Sequence, residues 1–343
     1  MIQEATELLS QSQDLSGQQM QAVMEEIMTG KVDTGQIVSF LTALNKKGES
    51  VEELTAAVSV MRKYVSRIDT DKEVILDTCG TGGDSKGTFN VSTIVAFVAS
   101  GSGITVAKHG NRSVSSSCGS ADILEALGIN INMPVEAIKK CLNEVGIAFL
   151  FAPNLHPAMK YAMPARIQIG KRTMFNILGP LTNPAGATHQ LVGVYDSHWT
   201  KILAAVLGNL GTVHALIVYG QDGLDEITTT AKTEVSEIYQ GKLNNYELEP
   251  EAFGIRKTKI EDLVGGTASD NAQILLEVLK GKLGPKRDMV VLNAAAAIYA
   301  ADKVKSIKDG IELAKMSIDS GSAFKKLELL KEYSNEDQTY GTK

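Results

Sequence analysis

From residue 73 onward the chain alternates short β-rich runs with helix-length segments, and this restricts the fold more than any other feature of the sequence. The runs "EVILDT", "GITVAKH", "AFLFAP", "HQLVGVYD" and "HALIVYG" each precede or follow a segment long enough for a helix. Parallel strands need crossovers of that length, so the pattern predicts βαβ units on a mostly parallel sheet. In such sheets ligands gather beyond the carboxyl ends of the strands, and the residues just after each run are the ones to inspect. Residues 235–254, "VSEIYQGKLNNYELEPEAFG", read instead as an antiparallel excursion. Three helices are expected to close the chain, through "DNAQILLEVLKGK", "DMVVLNAAAAIYAAD" and the segment after Ile307.

The first seventy residues carry helical patterns only. Ser16 can cap a helix bearing Met20, Val23, Met24 and Ile27, with Gly30 at its end. Ile37, Phe40, Leu41 and Leu44 mark the next helix, and Ser50 with Glu53 forms a capping box for another. A chain of 343 residues exceeds one typical domain. The reading is therefore a small all-α domain over residues 1–70 and a large α/β domain over 71–343. Part of 165–190, rich in Pro and Gly, bridges the two and packs on the small domain as a hinge.

Forty acidic against 34 basic residues give a net charge of -6, which argues against a nucleic-acid-binding surface. An anionic ligand would then need a local basic pocket or a metal. Three cysteines, Cys79, Cys118 and Cys141, show no metal-ligand spacing and fit a reducing, cytoplasmic setting. No basic start followed by an apolar core opens the chain, so no signal peptide is expected. The longest apolar run, "VSTIVAFVASGSGITVA", is broken by Ser and Gly and reads as a buried helix leading to a strand rather than a membrane span.

Residues 77–93, "DTCGTGGDSKGTFNVST", join a strand to a helix with mostly glycine, hydroxyl and carboxylate residues. Glycines let backbone amides approach a ligand, and the amides at a helix start carry partial positive charge, which suits phosphate. Asn90, Ser92 and Thr93 add side-chain groups at the helix entry, and a hydroxyl there can reach a magnesium ion on phosphate oxygens. Neither familiar phosphate loop matches: Thr88 stands where a Walker A lysine would follow Gly87, and Ser85 where a dinucleotide loop needs its third glycine.

A second strand ends in "KHGNRSVSSSCGSAD", which puts Lys108, His109 and Arg112 beside Gly110, Asn111 and several serines before a helix near Ala121. Glycines, hydroxyls and cations at two strand ends point to a phosphorylated substrate. Asp225 and Glu226 follow a third strand end, where adjacent carboxylates can hold a hard cation. Arg166 and Arg172, in the bridging segment, can bind carboxylate or phosphate, or lie on a helix surface.

Together "GTGGD" at 80–84, "NVST" at 90–93, "KHGNR" at 108–112, "GSAD" at 119–122, "RTMFNILGPLTNP" at 172–184 and "DE" at 225–226 resemble the anthranilate phosphoribosyltransferases of tryptophan biosynthesis. The order and spacing of these motifs run through the whole chain. The resemblance implies a nucleoside phosphorylase/phosphoribosyltransferase-like fold and a homodimer. It also implies that 5-phosphoribosyl diphosphate binds with magnesium, two ions per subunit. By motif, Gly80, Gly83, Asp84, Thr88, Asn90, Val91, Ser92 and Thr93 would hold the diphosphate. Lys108, His109, Gly110, Asn111, Arg112, Ser113, Val114, Ser115, Ser116 and Ser120 would cover the phosphoribosyl part. Ser92, Asp225 and Glu226 would serve the metals. Asn111 and Arg166 would meet anthranilate, with Gly80 and His109 lining its channel. Ile169 stands where the family often has leucine.

Two other readings share the architecture. A pyrimidine nucleoside phosphorylase would carry a different lysine- and serine-bearing glycine loop, and a nucleic-acid-binding relative would need a basic groove. The acidic pair and the acidic chain favour the transferase.

Overall fold

The computed structural model describes residues 1–84, 86–113 and 118–336. Four helices come first: α1 (Ile2–Ser10), α2 (Gly17–Met28), α3 (Thr34–Lys47) and α4 (Val51–Lys63). Ser16, Asp33 and Ser50 cap the last three, each in a reciprocal box with the residue three positions on. The Glu53 of one box is fully buried, where it accepts from the Leu15 amide at 2.9 Å and pairs with Lys47 at 2.8 Å. That carboxylate ties the α1–α2 turn to the start of α4. Helix α2 stops where Gly30 takes a left-handed φ of 71°.

The α/β part follows as β1 (Leu76–Gly80), α5 (Val91–Gly101), β2 (Val106–Gly110), α6 (Ser120–Ala126), α7 (Val135–Lys140), β3 (Ile147–Phe151) and α8 (Ala152–Leu155). Next come α9 (Met163–Ile169), α10 (Phe175–Leu178), β4 (His189–Gly193), α11 (His198–Asn209), β5 (His214–Gly220), β6 (Thr233–Tyr239) and β7 (Lys242–Leu248). The seven strands form one sheet in the order β3-β2-β1-β4-β5-β6-β7. The first five pair in parallel, and β6 and β7 run antiparallel as an added hairpin. Its turn has positive φ at both Gln240 (47°) and Gly241 (77°), the twist a two-residue hairpin needs.

The chain closes with α12 (Ala268–Leu279), α13 (Pro285–Ala300), α14 (Ile307–Asp319) and α15 (Ser322–Asn335). The three closing helices expected from the sequence are thus four. Gly321, at φ 77°, breaks the segment after Ile307 in two.

Alternate strand residues point to opposite faces. Leu76, Leu191, Leu216 and Val218 join a core with α5 and α12–α15, while Cys79, Val192, Ala215 and Ile217 join a second core. The second core runs continuously through α11 into the four N-terminal helices, which thereby seat the small helical domain on one face of the sheet. Helix α9 packs on α3, so a piece of the bridging segment also lies against that domain. Among the described residues no helix is long and apolar enough to cross a membrane.

Candidate active site

The strand order reverses at β1: the chain moves outward to β2 and β3, then returns to the other side of β1 with β4 and β5. Connections that leave in opposite directions open a crevice at the carboxyl ends of the central strands. Gly80, Gly110 and Gly193 end β1, β2 and β4 at that edge.

The glycine loop leaves β1 with left-handed backbone at Gly82 (φ 63°), Gly83 (φ 87°) and Gly87 (φ 67°). The Asp225 Oδ2 accepts from the Gly82 amide at 3.0 Å, and the Glu226 Oε1 from the Ser92 amide at 3.2 Å. A side chain on Gly80 would meet the same Asp225 oxygen at 2.8 Å. The two "strand-end" features of the sequence are thus one structure, with the acidic pair lying against the loop. The loop's far half is pinned by the segment before α12. Phe89 donates to the Leu263 carbonyl (3.0 Å), Gly265 to the Gly87 carbonyl (2.9 Å) and Asn90 to the Asn271 Oδ1 (3.0 Å). Thr88 bridges Val264, and the Asn90 Oδ1 caps α5 by accepting from the Thr93 amide at 3.3 Å. Val91 and Thr93 are fully buried at the helix entry, and the Thr93 hydroxyl donates to the Asn90 Oδ1 at 2.5 Å.

Asp84, Asp225 and Glu226 lie close enough to perturb one another. Burial and then the neighbouring Asp84 push Asp225 up to about 7, and burial and then Asp225 raise Glu226 well above the carboxylate range. Burial raises Asp84 as well. Crowded carboxylates that resist ionisation are what a divalent cation would relieve. Among the described residues no three ligating side chains form a complete cage. An oxygen-only set of one or two carboxylates completed by water and substrate phosphate suits magnesium, and these residues fit that group.

Lys108 on β2 is 3% exposed, and its Nζ donates to the Thr78 carbonyl at 2.6 Å and to the Ser92 Oγ at 3.2 Å. Burial lowers its pKa, and Asp77 and Glu226 oppose that shift. The ammonium therefore joins β1 to the first turn of α5, within the field of Glu226. Next to it His109 is buried against His156, with the two Nε2 atoms 3.1 Å apart. Burial drives His109 down to about 3 and His156 to about 4, so both rings are neutral. The Asn111 carbonyl accepts from the Ser120 Oγ at 3.4 Å, while Ser113 and Gly119 donate to Asp122 at 3.2 and 2.8 Å. Residues 111–113 after β2 are thereby tied to the start of α6. Arg112 turns to the carboxylates of Asp122 (3.1 Å) and Glu125 (2.7 Å), so a phosphate there would share it with two acids. Val114, Ser115 and Ser116 lie outside the described residues.

Arg166 rises from α9, half-buried, with its guanidinium 5.8 Å from the Phe175 ring centre. Among the described residues its guanidinium hydrogen-bonds the Met163 sulfur and makes no ion pair with a carboxylate, and burial lowers its pKa. A cation in that state is available to a carboxylate ligand. Arg172, the sequence's other candidate, lies beyond α9 rather than on a helix surface, stacked on Tyr195 and bonded to the Gly83 carbonyl.

The sequence reading passed over several residues around the site. Asp77 is fully buried in β1, with Oδ1 accepting from the His109 amide (3.1 Å) and Oδ2 from Asn183 (2.8 Å). A carboxylate in the middle of the apolar run "VILDT" was the available signal, since a buried acid is rare unless paired. His156 and Asn271 carried none beyond their residue types.

Two family models match the chain: "Glycosyl transferase family, helical bundle domain" over residues 3–65 and "Glycosyl transferase family, a/b domain" over 72–324. The anthranilate phosphoribosyltransferase of Alkaliphilus metalliredigens is 51% identical over 98% of this chain and 99% of its own length. That of Methanobrevibacter smithii is 51% identical over 98% of this chain and 100% of its own. The crystal structure of the Thermus thermophilus enzyme superposes with a TM-score of 0.92 at 39% identity, covering 96% of this chain and 99% of that one. The Saccharomyces cerevisiae enzyme, solved in complex with 5-phosphoribosyl diphosphate and magnesium, gives 0.88 at 29% identity over 97% of both chains. With full-length agreement in sequence, domain models and fold, the chain belongs to the anthranilate phosphoribosyltransferase family.

Proposed function

We propose that this protein transfers the phosphoribosyl group of 5-phosphoribosyl diphosphate to the amino nitrogen of anthranilate, releasing pyrophosphate, as a step of tryptophan biosynthesis. The observation that carries the reading is the convergence at one sheet edge of the glycine loop, the buried Lys108 and the Asp225–Glu226 pair, with Arg166 on α9 making no ion pair among the described residues.

In this reading Gly80, Gly83, Asp84, Thr88 and Asn90–Thr93 hold the diphosphate, and residues from Lys108 to Ser113, with Ser120, cover the phosphoribosyl group. Ser92, Asp225 and Glu226 would hold magnesium, two ions per subunit, which would supply neutralisation of negative charge on the diphosphate. Asn111 and Arg166 meet anthranilate, the arginine facing its carboxylate, and Gly80 and His109 line its channel. The amine attacks C1 of the ribose as the bond from C1 to the diphosphate oxygen breaks. Pyrophosphate leaves with the electron pair, the configuration at C1 inverts, and the nitrogen gives up its proton to solvent. An aromatic amine is unprotonated at neutral pH, so no side chain has to act as base. Lys108 and the loop amides face the charge that grows on the leaving group, and the contribution of this chain is orientation and charge stabilisation.

We further infer two lobes divided near residue 70, with part of residues 165–190 as the hinge, and a cytoplasmic homodimer. Anthranilate-dependent release of pyrophosphate, one per anthranilate consumed, tests the reaction. Release without anthranilate at the same rate would make the protein a hydrolase instead.

A further inference from the structure

The sequence singles out Arg172 as a candidate anion ligand, yet its contacts are with the protein. The guanidinium lies 3.8 Å from the centre of the Tyr195 ring, and Nη2 donates to the Gly83 carbonyl. Tyr195 is itself held at two points: its amide donates to the Thr81 Oγ1 at 3.2 Å, and its hydroxyl accepts from Trp199 at 3.1 Å. Thr81, Tyr195, Arg172 and Gly83 thus close a ring of contacts around the first half of the glycine loop. The main-chain carbonyl of Arg172 accepts from the Asn45 side chain at 3.0 Å, which ties the ring to α3 of the small domain. A side chain at Gly83 would be strained by its φ of 87°, and its Cβ, 2.7 Å from Arg172 Nη2, would displace the guanidinium.

A trans peptide unit is planar, with its C=O and N–H on opposite sides. Fixing the Gly83 carbonyl toward Arg172 therefore fixes the Asp84 amide in the opposite direction. We propose that Arg172 is a positioning residue for the diphosphate loop, setting the Gly83–Asp84 peptide so that its N–H faces away from the guanidinium and linking that setting to the small domain through Asn45. The inference rests on the transferase reading for the identity of the ligand. Arg172 touches the loop and not the substrate.

Calorimetric titration of 5-phosphoribosyl diphosphate with magnesium into the full-length protein, beside steady-state kinetics, tests it. Arg172→Ala should weaken diphosphate binding about tenfold, the scale of one hydrogen bond to a charged group. The KM for anthranilate should stay within about twofold, and the melting midpoint within about 2 °C because the side chain is exposed. Tyr195→Leu should reproduce the binding loss, and the double variant should add little to either single one. Arg172→Lys should recover only part of it, since an ammonium has no planar face to stack. Unchanged binding in Arg172→Ala overturns the proposal. So does a loss on Arg172→Ala that Tyr195→Leu fails to share, which would make the arginine a direct ligand. A wild-type protein that binds the diphosphate but leaves anthranilate unconverted would fail the transferase reading while leaving the binding test of Arg172 intact.

Discussion

Asn183 donates from Nδ2 to the Oδ2 of Asp77 at 2.8 Å, joining the segment before β4 to the centre of β1 in a fully buried contact. The same Nδ2 also meets the Ala107 carbonyl, and the Asn183 Oδ1 accepts from the Ala185 amide, so the amide cannot flip. Asp77 must supply two acceptors, one to Asn183 and one to the His109 amide. Asp77→Asn puts a donor against a donor and should lower the unfolding free energy in urea by about 1–3 kcal/mol. An unchanged midpoint would show that the pair does not hold these elements.

Arg166→Ala should raise the KM for anthranilate about 10- to 100-fold, the range for a hydrogen bond to a charged group worth roughly 1.5–3 kcal/mol. The KM for 5-phosphoribosyl diphosphate should hardly move. Parallel rises in both constants, measured by varying each substrate at saturating levels of the other, would remove the assignment.

Asp225→Asn and Glu226→Gln should each lower turnover by roughly 100- to 1000-fold and raise the magnesium concentration needed for half-maximal rate. Variants as active as wild type at low magnesium would displace the metal from this pair.

Gly193 passes so close to the acidic loop that a Cβ would lie 2.5 Å from the Asp225 carbonyl carbon. Gly193→Ala should therefore push Asp225 and Glu226 away from the glycine loop, costing about 1–3 kcal/mol of stability and most of the activity. A crystal structure of the variant with the Gly82–Asp225 contact intact would contradict this.

His109 and His156 set a pH dependence of stability. An unfolded histidine protonates near pH 6.5, whereas burial holds these two down to about 3 and about 4. Below about pH 6.5 the unfolded chain binds protons that the native state excludes, so their contribution is present at neutral pH and lost as the pH falls toward 4. Asp77, raised by burial to about 6, works in the opposite direction between about pH 4 and 6, and is present in wild type and variant alike. His156→Gln should lose less stability than wild type between about pH 6.5 and 4.5 in parallel urea titrations. Equal losses would mean that His156 is not held neutral.

The fold was legible because its signals were local and periodic. Ser16, Ser50 and Glu53 announced their helices by capping chemistry, and the five apolar runs became the five parallel strands. The extra break at Gly321 was not legible, because a glycine after Ser320 can sit within a helical pattern or end it. For the site, residue types gave the three loops but not their partners. That Asp225 bonds the Gly82 amide depends on the order of strands in the sheet, and that Arg112 faces Asp122 and Glu125 on how the chain after β2 packs on α6. Asp77 and Asn183 are 106 residues apart, and only the β1–β2–β4 order brings them together.

The central claim is tested most directly by the fluorescence of anthranilate mixed with the purified protein, 5-phosphoribosyl diphosphate and magnesium, with controls that omit the diphosphate or the metal. The expected result is a time-dependent loss of the anthranilate signal in the complete mixture alone. A flat trace from folded protein that binds the diphosphate would contradict the account and remove anthranilate as the acceptor.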